Sequence, residues 1–340
     1  MKVWFDITNT PQVHFLLAVE DMIKSFKPDT VPLYSTREFS ETVKMLERKV
    51  GKGNFITIGN HKGKSYIKKI MGLFERFNSL NKVKLDYDLS ISCGSESAVW
   101  KSFLEHKKSI TFGDNDLARQ WTYGYITDYA FFPNAIDEKK LNSQGLKNKL
   151  YLYNGYKEDV YLSKYTPDDS FLSLLPFDNY VLVRPENIMA NYIRNGNVKS
   201  ITPDLLKILS EKGYHILYLP RYDIDKDYSK EIKNVFVPDA PINGLDACYY
   251  ADAVLTGAGT FAREAACLGV PSFSFFAGSD LLAVDKKMIR EEKMYFSRDV
   301  GDIMKHLLLS KKTSPNLNRC KETVSEIRCQ IECLFSKWEF

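Results

Sequence analysis

The sequence contains no apolar run long enough to cross a bilayer, and its first residues, MKVWFDITNT, lack the basic and apolar segments of a signal peptide. Its six cysteines are scattered, with no Cys-x-x-Cys pair, which argues against a disulfide framework or a structural zinc site and favours a reducing compartment. The formal net charge of +4 over 340 residues is too small to indicate a nucleic-acid partner. We therefore expect a cytoplasmic protein that can meet the cell membrane only at its inner face.

What the chain does contain is a regular alternation of short β-rich runs and helical periodicity, typical of parallel sheets with crossover helices. Its length suits two domains, each with its own core. We predict an α/β fold of GT-B architecture, with two Rossmann-like domains facing across a cleft and a C-terminal helix packing back toward the first. The predicted first domain spans residues 1–165, the second 178–312 and the helix 313–340, with a polar linker from about Asn154 to Asp178.

The most specific motif is the string TGAGTFARE, which begins at Thr256 and joins a predicted strand to a predicted helix. Glycines let the backbone pass close to a ligand, and free N–H groups at a helix start favour phosphate oxygens. Glu264, one turn into the helix, can reach ribose hydroxyls. The alternative is a tight turn whose glycines serve geometry alone. The predicted nucleotide-sugar contacts here are Thr256, Gly257, Ala258, Gly259, Thr260 and Glu264.

Three further turns of the second half carry charged side chains toward the same predicted site. Arg184 and Arg221 follow two strands and offer the planar, permanently charged group that suits a diphosphate. Glu186 is counted with them, and Asp285 and Lys286 follow the last predicted strand, where they could meet sugar hydroxyls or phosphate. The alternative for all of these charges is a solvated surface, with each arginine paired to a neighbouring acid.

The first half places candidate catalytic groups after its strands. His14 lies at the start of a helix, close in sequence to Asp6 and Asn9, and is the candidate general base because imidazole titrates near neutrality. The alternative is a surface or capping histidine. Glu96, Asp114 and Asp116 end two later strands, as catalytic carboxylates or as capping and turn residues. The catalytic set is therefore His14, Asp6, Asp114 and Glu96, with Asn9 counted among the nucleotide-sugar contacts and no metal site predicted.

The segment Lys64–Lys84 is basic and amphipathic. Tyr66, Ile67, Ile70, Met71, Phe74 and Phe77 form its apolar side, and Lys64, Lys68, Lys69 and Arg76 lie toward the other. Such a helix can rest on an anionic membrane surface. It can equally pack its apolar side against its own sheet.

With these motifs assembled, the chain resembles an uncharacterised microbial family, domain of unknown function 354, along nearly its whole length. The resemblance rests on the strings WFDITNTPQVHF, GKSYIKKIMGLFERF, ISCGSESAVW, GYKEDVYL, VRPEN, LPRYD, YYADAVLTGAGTFAREAACLGVPS and LLAVDKKMI. The family is distantly similar to GT-B glycosyltransferases and to UDP-N-acetylglucosamine 2-epimerases. That wider resemblance implies a nucleotide diphosphate held by the second half and an acceptor or chemical groups offered by the first.

Two of these relatives imply different chemistry. The peptidoglycan N-acetylglucosaminyltransferases have a first-loop histidine, a basic amphipathic helix and a glycine-rich donor turn, in places similar to His14, Lys64–Lys84 and Gly257–Thr260. Their glycine-rich first loop is replaced here by Thr-Asn-Thr-Pro. The epimerases have an Arg-Glu-Asn turn, which Pro185 interrupts here, and acidic groups after their fourth and fifth strands.

We therefore expect a glycosyltransferase that moves a sugar from a nucleoside-diphosphate sugar, with a UDP-sugar favoured, to a hydroxyl acceptor, with no metal and no cofactor. A lipid-linked acceptor and a role in cell-surface glycan synthesis follow from the basic helix. The first alternative is a sugar-nucleotide epimerase, and the second is a non-catalytic nucleotide-sugar-binding protein.

Overall fold

The computed structural model describes residues 1–38, 40–60, 66–188 and 198–340, with the backbone alone for residues 40, 60 and 66–69. The chain divides into two compact units. The first unit contains Met1–Ser163 together with Asn318–Phe340, and the second contains Lys164–Leu317. All four tryptophans of the sequence lie in the first unit.

The described residues of the first unit form a seven-stranded sheet in which every neighbouring pair is parallel. Its strands are β1 (Lys2–Ile7), β2 (Val31–Glu38), β3 (Phe55–Asn60), β4 (Leu89–Ser92), β5 (Lys108–Phe112), β6 (Tyr129–Pro133) and β7 (Leu150–Tyr153). Their spatial order is β3-β2-β1-β4-β5-β6-β7. The order reverses direction between β1 and β4, which is where ligands bind in open sheets of this kind.

The helices of this part of the chain follow the strands. They are α1 (Thr10–Lys24), α2 (Ser40–Val50), α3 (Tyr66–Lys82), α4 (Glu96–Leu104), α5 (Trp121–Gly124), α6 (Glu138–Leu141) and α7 (Lys157–Leu162). The central strand β1 is buried from its second residue onward, as expected for a parallel strand covered on both faces. Pro11 fits the first turn of α1, where a backbone N–H would have no helical acceptor.

The second unit repeats the same plan with six parallel strands among the described residues. The strands are β8 (Val181–Arg184), β9 (Ile216–Tyr218), β10 (Val235–Phe236), β11 (Ala253–Thr256), β12 (Ser272–Ser274) and β13 (Tyr295–Phe296), in the order β10-β9-β8-β11-β12-β13. The helices are α8 (Thr202–Glu211), α9 (Asp223–Lys226), α10 (Gly244–Tyr250), α11 (Gly259–Cys267), α12 (Ala283–Arg290) and α13 (Val300–Leu307). The order reverses between β8 and β11, which places the second expected ligand position at the start of α11.

The last helix, α14 (Leu317–Lys337), belongs to the first unit. Its Arg319 forms a two-point ion pair with the buried Asp159 of α7, with the closest N–O distance at 2.6 Å. Farther along α14, Glu326 accepts hydrogen bonds from the Tyr151 hydroxyl and the Asn154 backbone N–H. These contacts fix α14 against α7 and the edge strand β7.

The predicted linker differs from the structure. Part of the stretch from Asn154 to Asp178 is the helix α7, whose charged residues Lys157, Glu158 and Asp159 are all buried. Lys157 and Asp159 have partners distant in sequence, Asp114 and Arg319. A polar segment reads as a loop in sequence because those partners are not visible there.

Candidate functional site

The candidate site of the second unit is the turn from β11 into α11. The Gly257 N–H donates to the Arg184 carbonyl, 3.0 Å away, which ties the turn to the end of β8. The Ala258 N–H donates to the Thr256 hydroxyl at 2.9 Å, so that side chain is used inside the turn. The turn is thereby held rigidly at the position where the strand order reverses.

Packing explains only one of the two glycines of this turn. A Cβ on Gly257 would lie 2.5 Å from the backbone of Glu186, so glycine is required there by packing. A Cβ on Gly259 would meet only the end of the Arg263 side chain, at 3.1 Å from Nη1. Close packing of the backbone therefore does not explain Gly259, and the space above it remains available to a ligand.

The start of α11 offers hydrogen-bond donors for which no described residue provides an acceptor. The N-cap residue is Ala258, which has no side-chain oxygen to cap the helix. No described residue accepts a hydrogen bond from the backbone N–H groups of Gly259, Thr260 or Phe261. Such groups carry the positive end of the helix dipole and bind anions.

Two arginines accompany this helix start. The Arg184 guanidinium lies over the Phe261 ring of α11, 4.6 Å from its centroid. The Arg221 Nε donates to the Pro185 carbonyl at 3.1 Å, which orients that guanidinium beside the loop after β8. Only this Nε bond holds the Arg221 side chain among the described residues, so its two terminal nitrogens remain available to a ligand.

Glu186, a predicted nucleotide-sugar contact, has several partners within the second unit. It is buried, and its carboxylate accepts hydrogen bonds from the hydroxyls of Ser200 and Thr202 and from the Ile201 N–H. It also forms an ion pair with Arg298 at 3.1 Å. Both Glu186 oxygens therefore have partners at the start of α8, and the assignment of Glu186 to the nucleotide site stays a prediction.

Asp285, a predicted contact to sugar or phosphate, also has a partner within the second unit. It is buried and forms an ion pair with Arg263 of α11 at 2.9 Å, which joins α11 to α12. The neighbouring Lys286 is exposed. Glu264, the predicted ribose contact, is buried in the second turn of α11.

In the first unit, Asp6 at the end of β1 lies in a buried ion pair that the sequence does not reveal. Arg76 of α3 donates to both of its oxygens, at 2.6 and 3.0 Å. The hydroxyls of Ser35 and Ser95 also donate to it, each at 2.5 Å. Burial would raise the pKa of Asp6, but the Arg76 charge and these hydrogen bonds bring it below its ordinary value. Asp6 thus joins the carboxyl ends of β1, β2 and β4 through these contacts, and its catalytic role stays a prediction.

His14 lies in α1 and stacks on Tyr161 of α7, with 5.8 Å between ring centroids. Burial, and then the positive charge of Lys49, lower the pKa of His14 to about 4. The imidazole is therefore neutral at physiological pH, able to accept a proton but weakly basic. Asn9, the N-cap of α1, is exposed and its side chain does not cap the helix.

The three carboxylates after β4 and β5 differ in their surroundings. Asp114 pairs with Lys157 at 2.5 Å, and Asp116 pairs with Lys140 at 3.2 Å. Glu96, the first residue of α4, is half-buried and makes no recorded hydrogen bond or ion pair with a described residue. Among these groups Glu96 is the carboxylate most available for proton transfer.

The described part of α3 exposes apolar side chains. Ile70, Met71 and Phe74 are 39%, 54% and 52% exposed, while Phe77 packs edge-on against Trp100. Arg76 does not belong to the basic flank, because it is buried against Asp6. Lys64 lies outside the described residues, as do the side chains of Tyr66, Ile67, Lys68 and Lys69.

Two features are absent from the described ranges. No helix there is both long and apolar enough to cross a membrane. No group of three or more histidine, cysteine, aspartate or glutamate side chains there is placed to hold a metal ion.

Solved structures with this fold include several sugar-nucleotide enzymes. UDP-GlcNAc 2-epimerase from Methanocaldococcus jannaschii matches with a TM-score of 0.69 at 16% identity, over 98% of this chain and 99% of that one. The Neisseria meningitidis UDP-GlcNAc 2-epimerase, bound to UDP-GlcNAc, matches with a TM-score of 0.69 at 13% identity, over 96% and 99%. The calicheamicin glycosyltransferase CalG4 matches with a TM-score of 0.58 at 10% identity, over 98% of each chain. These similarities establish the two-domain GT-B fold.

In sequence, an uncharacterized protein of Methanocaldococcus jannaschii is 28% identical over 322 residues, which cover 90% of this chain and 91% of that protein. The family model described as protein of unknown function DUF354 matches residues 1–333, and the chain belongs to that family.

Proposed function

We propose that this chain is a glycosyltransferase that binds a nucleoside-diphosphate sugar, with a UDP-sugar favoured, at the start of α11. The observation that carries the proposal is the set of three unused N–H groups at Gly259, Thr260 and Phe261, next to a glycine that packing does not require. UDP-GlcNAc 2-epimerases with the same fold support the choice of nucleotide, since one was solved with UDP-GlcNAc bound.

In the proposed reaction an acceptor hydroxyl oxygen attacks the anomeric carbon while the bond from that carbon to the diphosphate oxygen breaks. The hydroxyl proton passes to a base of the first unit, and negative charge develops on the departing diphosphate. The N–H groups of α11, with Arg184 and Arg221, would stabilise that charge without a metal. Glu264 would hold the ribose, and Lys286 remains an exposed candidate for the sugar or phosphate.

The second candidate is a sugar-nucleotide epimerase. It is favoured by the end-to-end match to UDP-GlcNAc 2-epimerases and by Glu96, which has no partner among the described residues and could move a proton on the sugar itself. The pairing of Asp114 and Asp116 with lysines weighs against it, because it leaves fewer carboxylates for proton transfer.

Incubation with UDP-, GDP-, CMP- and dTDP-sugars separates the candidates by product. A transferase releases nucleoside diphosphate in proportion to added acceptor, whereas an epimerase returns an isomerised nucleotide sugar without acceptor. If a nucleotide sugar binds and neither product forms, the result supports a non-catalytic nucleotide-sugar-binding protein.

In that assay, Glu96→Gln should lower turnover by roughly 10²- to 10⁴-fold, the usual contribution of a general base. Nucleotide affinity should stay within a few-fold, because Glu96 lies in the first unit. Asp116→Asn is the matched control, since that carboxylate is already paired with Lys140.

His14 is the other candidate base, and substitution distinguishes it from Glu96. With a pKa of about 4 it keeps its accepting, neutral form at neutral pH and loses it only as pH falls toward 4. His14→Asn with full turnover would remove His14 from the mechanism. A larger loss for His14→Asn than for Glu96→Gln would overturn our preference for Glu96.

We further propose that the acceptor is lipid-linked, with the exposed side of α3 resting on an anionic membrane. This rests on Ile70, Met71 and Phe74, which lie on adjacent positions of one helix and are all exposed. The sequence HKGKSYIKK, residues 61–69, adds basic residues directly before them.

The protein should co-sediment with vesicles containing anionic lipid and not with neutral ones. Replacing Lys64, Lys68 and Lys69 should release it, because each basic residue near such a surface contributes about 1 kcal/mol. Met71→Ser with Phe74→Ser should release it too. Leu308→Ser with Leu309→Ser, an equally exposed pair in the second unit, should not. Equal sedimentation with neutral vesicles would contradict the proposal.

A further inference from the structure

The start of α4 in the first unit resembles the start of α11 in one respect. Its N-cap residue is Ser95, but the Ser95 hydroxyl donates to Asp6 and does not cap the helix. No described residue accepts a hydrogen bond from the backbone N–H groups of Glu96, Ser97 or Ala98. This helix follows β4, where the strand order of the first sheet reverses.

A second observation at the same place concerns Ser97. Its side chain is fully buried, and its hydroxyl has no hydrogen-bond partner among the described residues. The Cα–Cβ bond of a helical residue tilts toward the helix N-terminus, so this hydroxyl lies on the side of the unused N–H groups. A buried hydroxyl without a partner costs about 1–3 kcal/mol, a cost that a bound ligand would remove.

A third observation is Arg37, near the end of the neighbouring strand β2. Its Nε is buried and has no hydrogen-bond partner among the described residues, and its side chain forms no recorded ion pair with them. Burial and the nearby charge of Arg76 lower the pKa of Arg37, while Asp6 and Glu96 raise it, so all four charges belong to one cluster. Within this cluster, the charges of Asp6 and Arg76 are paired with each other.

We propose that the first unit binds a phosphate group at the start of α4, with Ser97 and Arg37 as its side-chain donors. The backbone N–H groups of the helix start supply the remaining hydrogen bonds. The four side-chain charges of the cluster cancel, so directed hydrogen bonds rather than net charge hold the phosphate.

The role of this phosphate rests on the proposed function. Glu96 stands in the same helix turn and is the group assigned to proton transfer. The molecule whose hydroxyl it deprotonates is therefore the one that carries the phosphate, which makes the acceptor a phosphate ester. The ester could be a sugar phosphate or a lipid phosphate.

Calorimetric titration of the full chain with inorganic phosphate, glucose 1-phosphate and geranyl phosphate tests the proposal. At least one ester should bind. The ester with the higher affinity identifies whether the acceptor is a sugar phosphate or a lipid phosphate. Arg37→Gln should weaken binding by roughly 10- to 100-fold, the equivalent of one charge-assisted hydrogen bond. Ser97→Ala should weaken it several-fold while leaving the thermal unfolding midpoint unchanged or higher, because it removes a buried, unpartnered hydroxyl.

The same titrations on Gly259→Leu distinguish this site from the nucleotide site. Phosphate-ester binding that survives Gly259→Leu and falls in Arg37→Gln supports the inference, even if UDP fails to bind anywhere. Binding that is lost in Gly259→Leu and unaffected by Arg37→Gln and Ser97→Ala would place the phosphate at α11 and overturn it. Failure of all three probes to bind wild type would overturn it as well.

Discussion

Replacing Asp6 by asparagine is expected to lower the free energy of unfolding of the first unit by about 3–5 kcal/mol. The change leaves the Arg76 guanidinium buried without its charge partner, and an uncompensated buried charge has a cost of this size. Tryptophan fluorescence in a urea titration measures it in the first unit alone, since all four tryptophans lie there. Trp4 is a near reporter, because its indole N–H donates to Ser35, which in turn donates to Asp6.

The matched control is Glu332→Gln, which removes an exposed ion pair with Arg328 in the same unit and should cost less than about 1 kcal/mol. The double variant Asp6→Asn with Arg76→Met should recover much of the loss, because it removes both charges. Equal losses for Asp6→Asn and Glu332→Gln would contradict the account of the buried pair.

The pH dependence of stability is a second test of the Asp6–Arg76 ion pair. Because the pKa of Asp6 is below its ordinary value of 3.8 in the folded chain, the contribution of the carboxylate is present at neutral pH. It is lost only as pH falls below that value. Above pH 5 the difference between wild type and Asp6→Asn should therefore stay constant.

The sequence predicts the fold well where local pattern and burial agree. In Lys2–Ile7 and Ala253–Thr256, mostly apolar residues end at a turn, which is the pattern that predicts a buried parallel strand. The edge strand β7 and the two-residue strand β13 are harder to predict from the sequence. They are short and half-buried, so their periodicity is weak.

The candidate site is predicted only where it is local in sequence. The turn at Gly257–Gly259 is identified because strand, glycines and helix are contiguous. The roles of Asp6, Glu186 and Asp285 depend on partners that pairing brings from elsewhere, such as Arg76, seventy positions from Asp6. A charged residue that follows a strand looks the same in sequence whether it faces a ligand or a buried partner.

Which acidic and hydroxyl groups already have protein partners can also be seen only in the structure. Among the acids after β4 and β5, only the ion pairs in three dimensions separate Glu96 from Asp114. The diversion of the Ser95 hydroxyl to Asp6 leaves α4 uncapped, although its sequence contains a residue suited to capping.

The second large effect is expected for Gly259→Leu. A leucine side chain there occupies the space in front of the α11 N–H groups. Its Cβ meets only the end of Arg263, whose buried ion pair with Asp285 must adjust by a few tenths of an ångström. Loss of two charge-assisted hydrogen bonds to phosphate corresponds to a weakening of more than about 100-fold. Gly301→Leu is the matched control, because this glycine lies in the first turn of α13 and a Cβ there meets only the Asp299 side chain at 3.3 Å.

Calorimetric titration of UDP into wild type, Gly259→Leu and Gly301→Leu tests the central claim, a nucleoside-diphosphate site at the start of α11. We predict a single saturable site in wild type, the same affinity in Gly301→Leu, and no measurable binding to a folded Gly259→Leu protein. UDP binding of equal strength in all three proteins would contradict the assignment of the site. No binding to wild type by UDP, GDP, CDP or dTDP would contradict the proposed function itself.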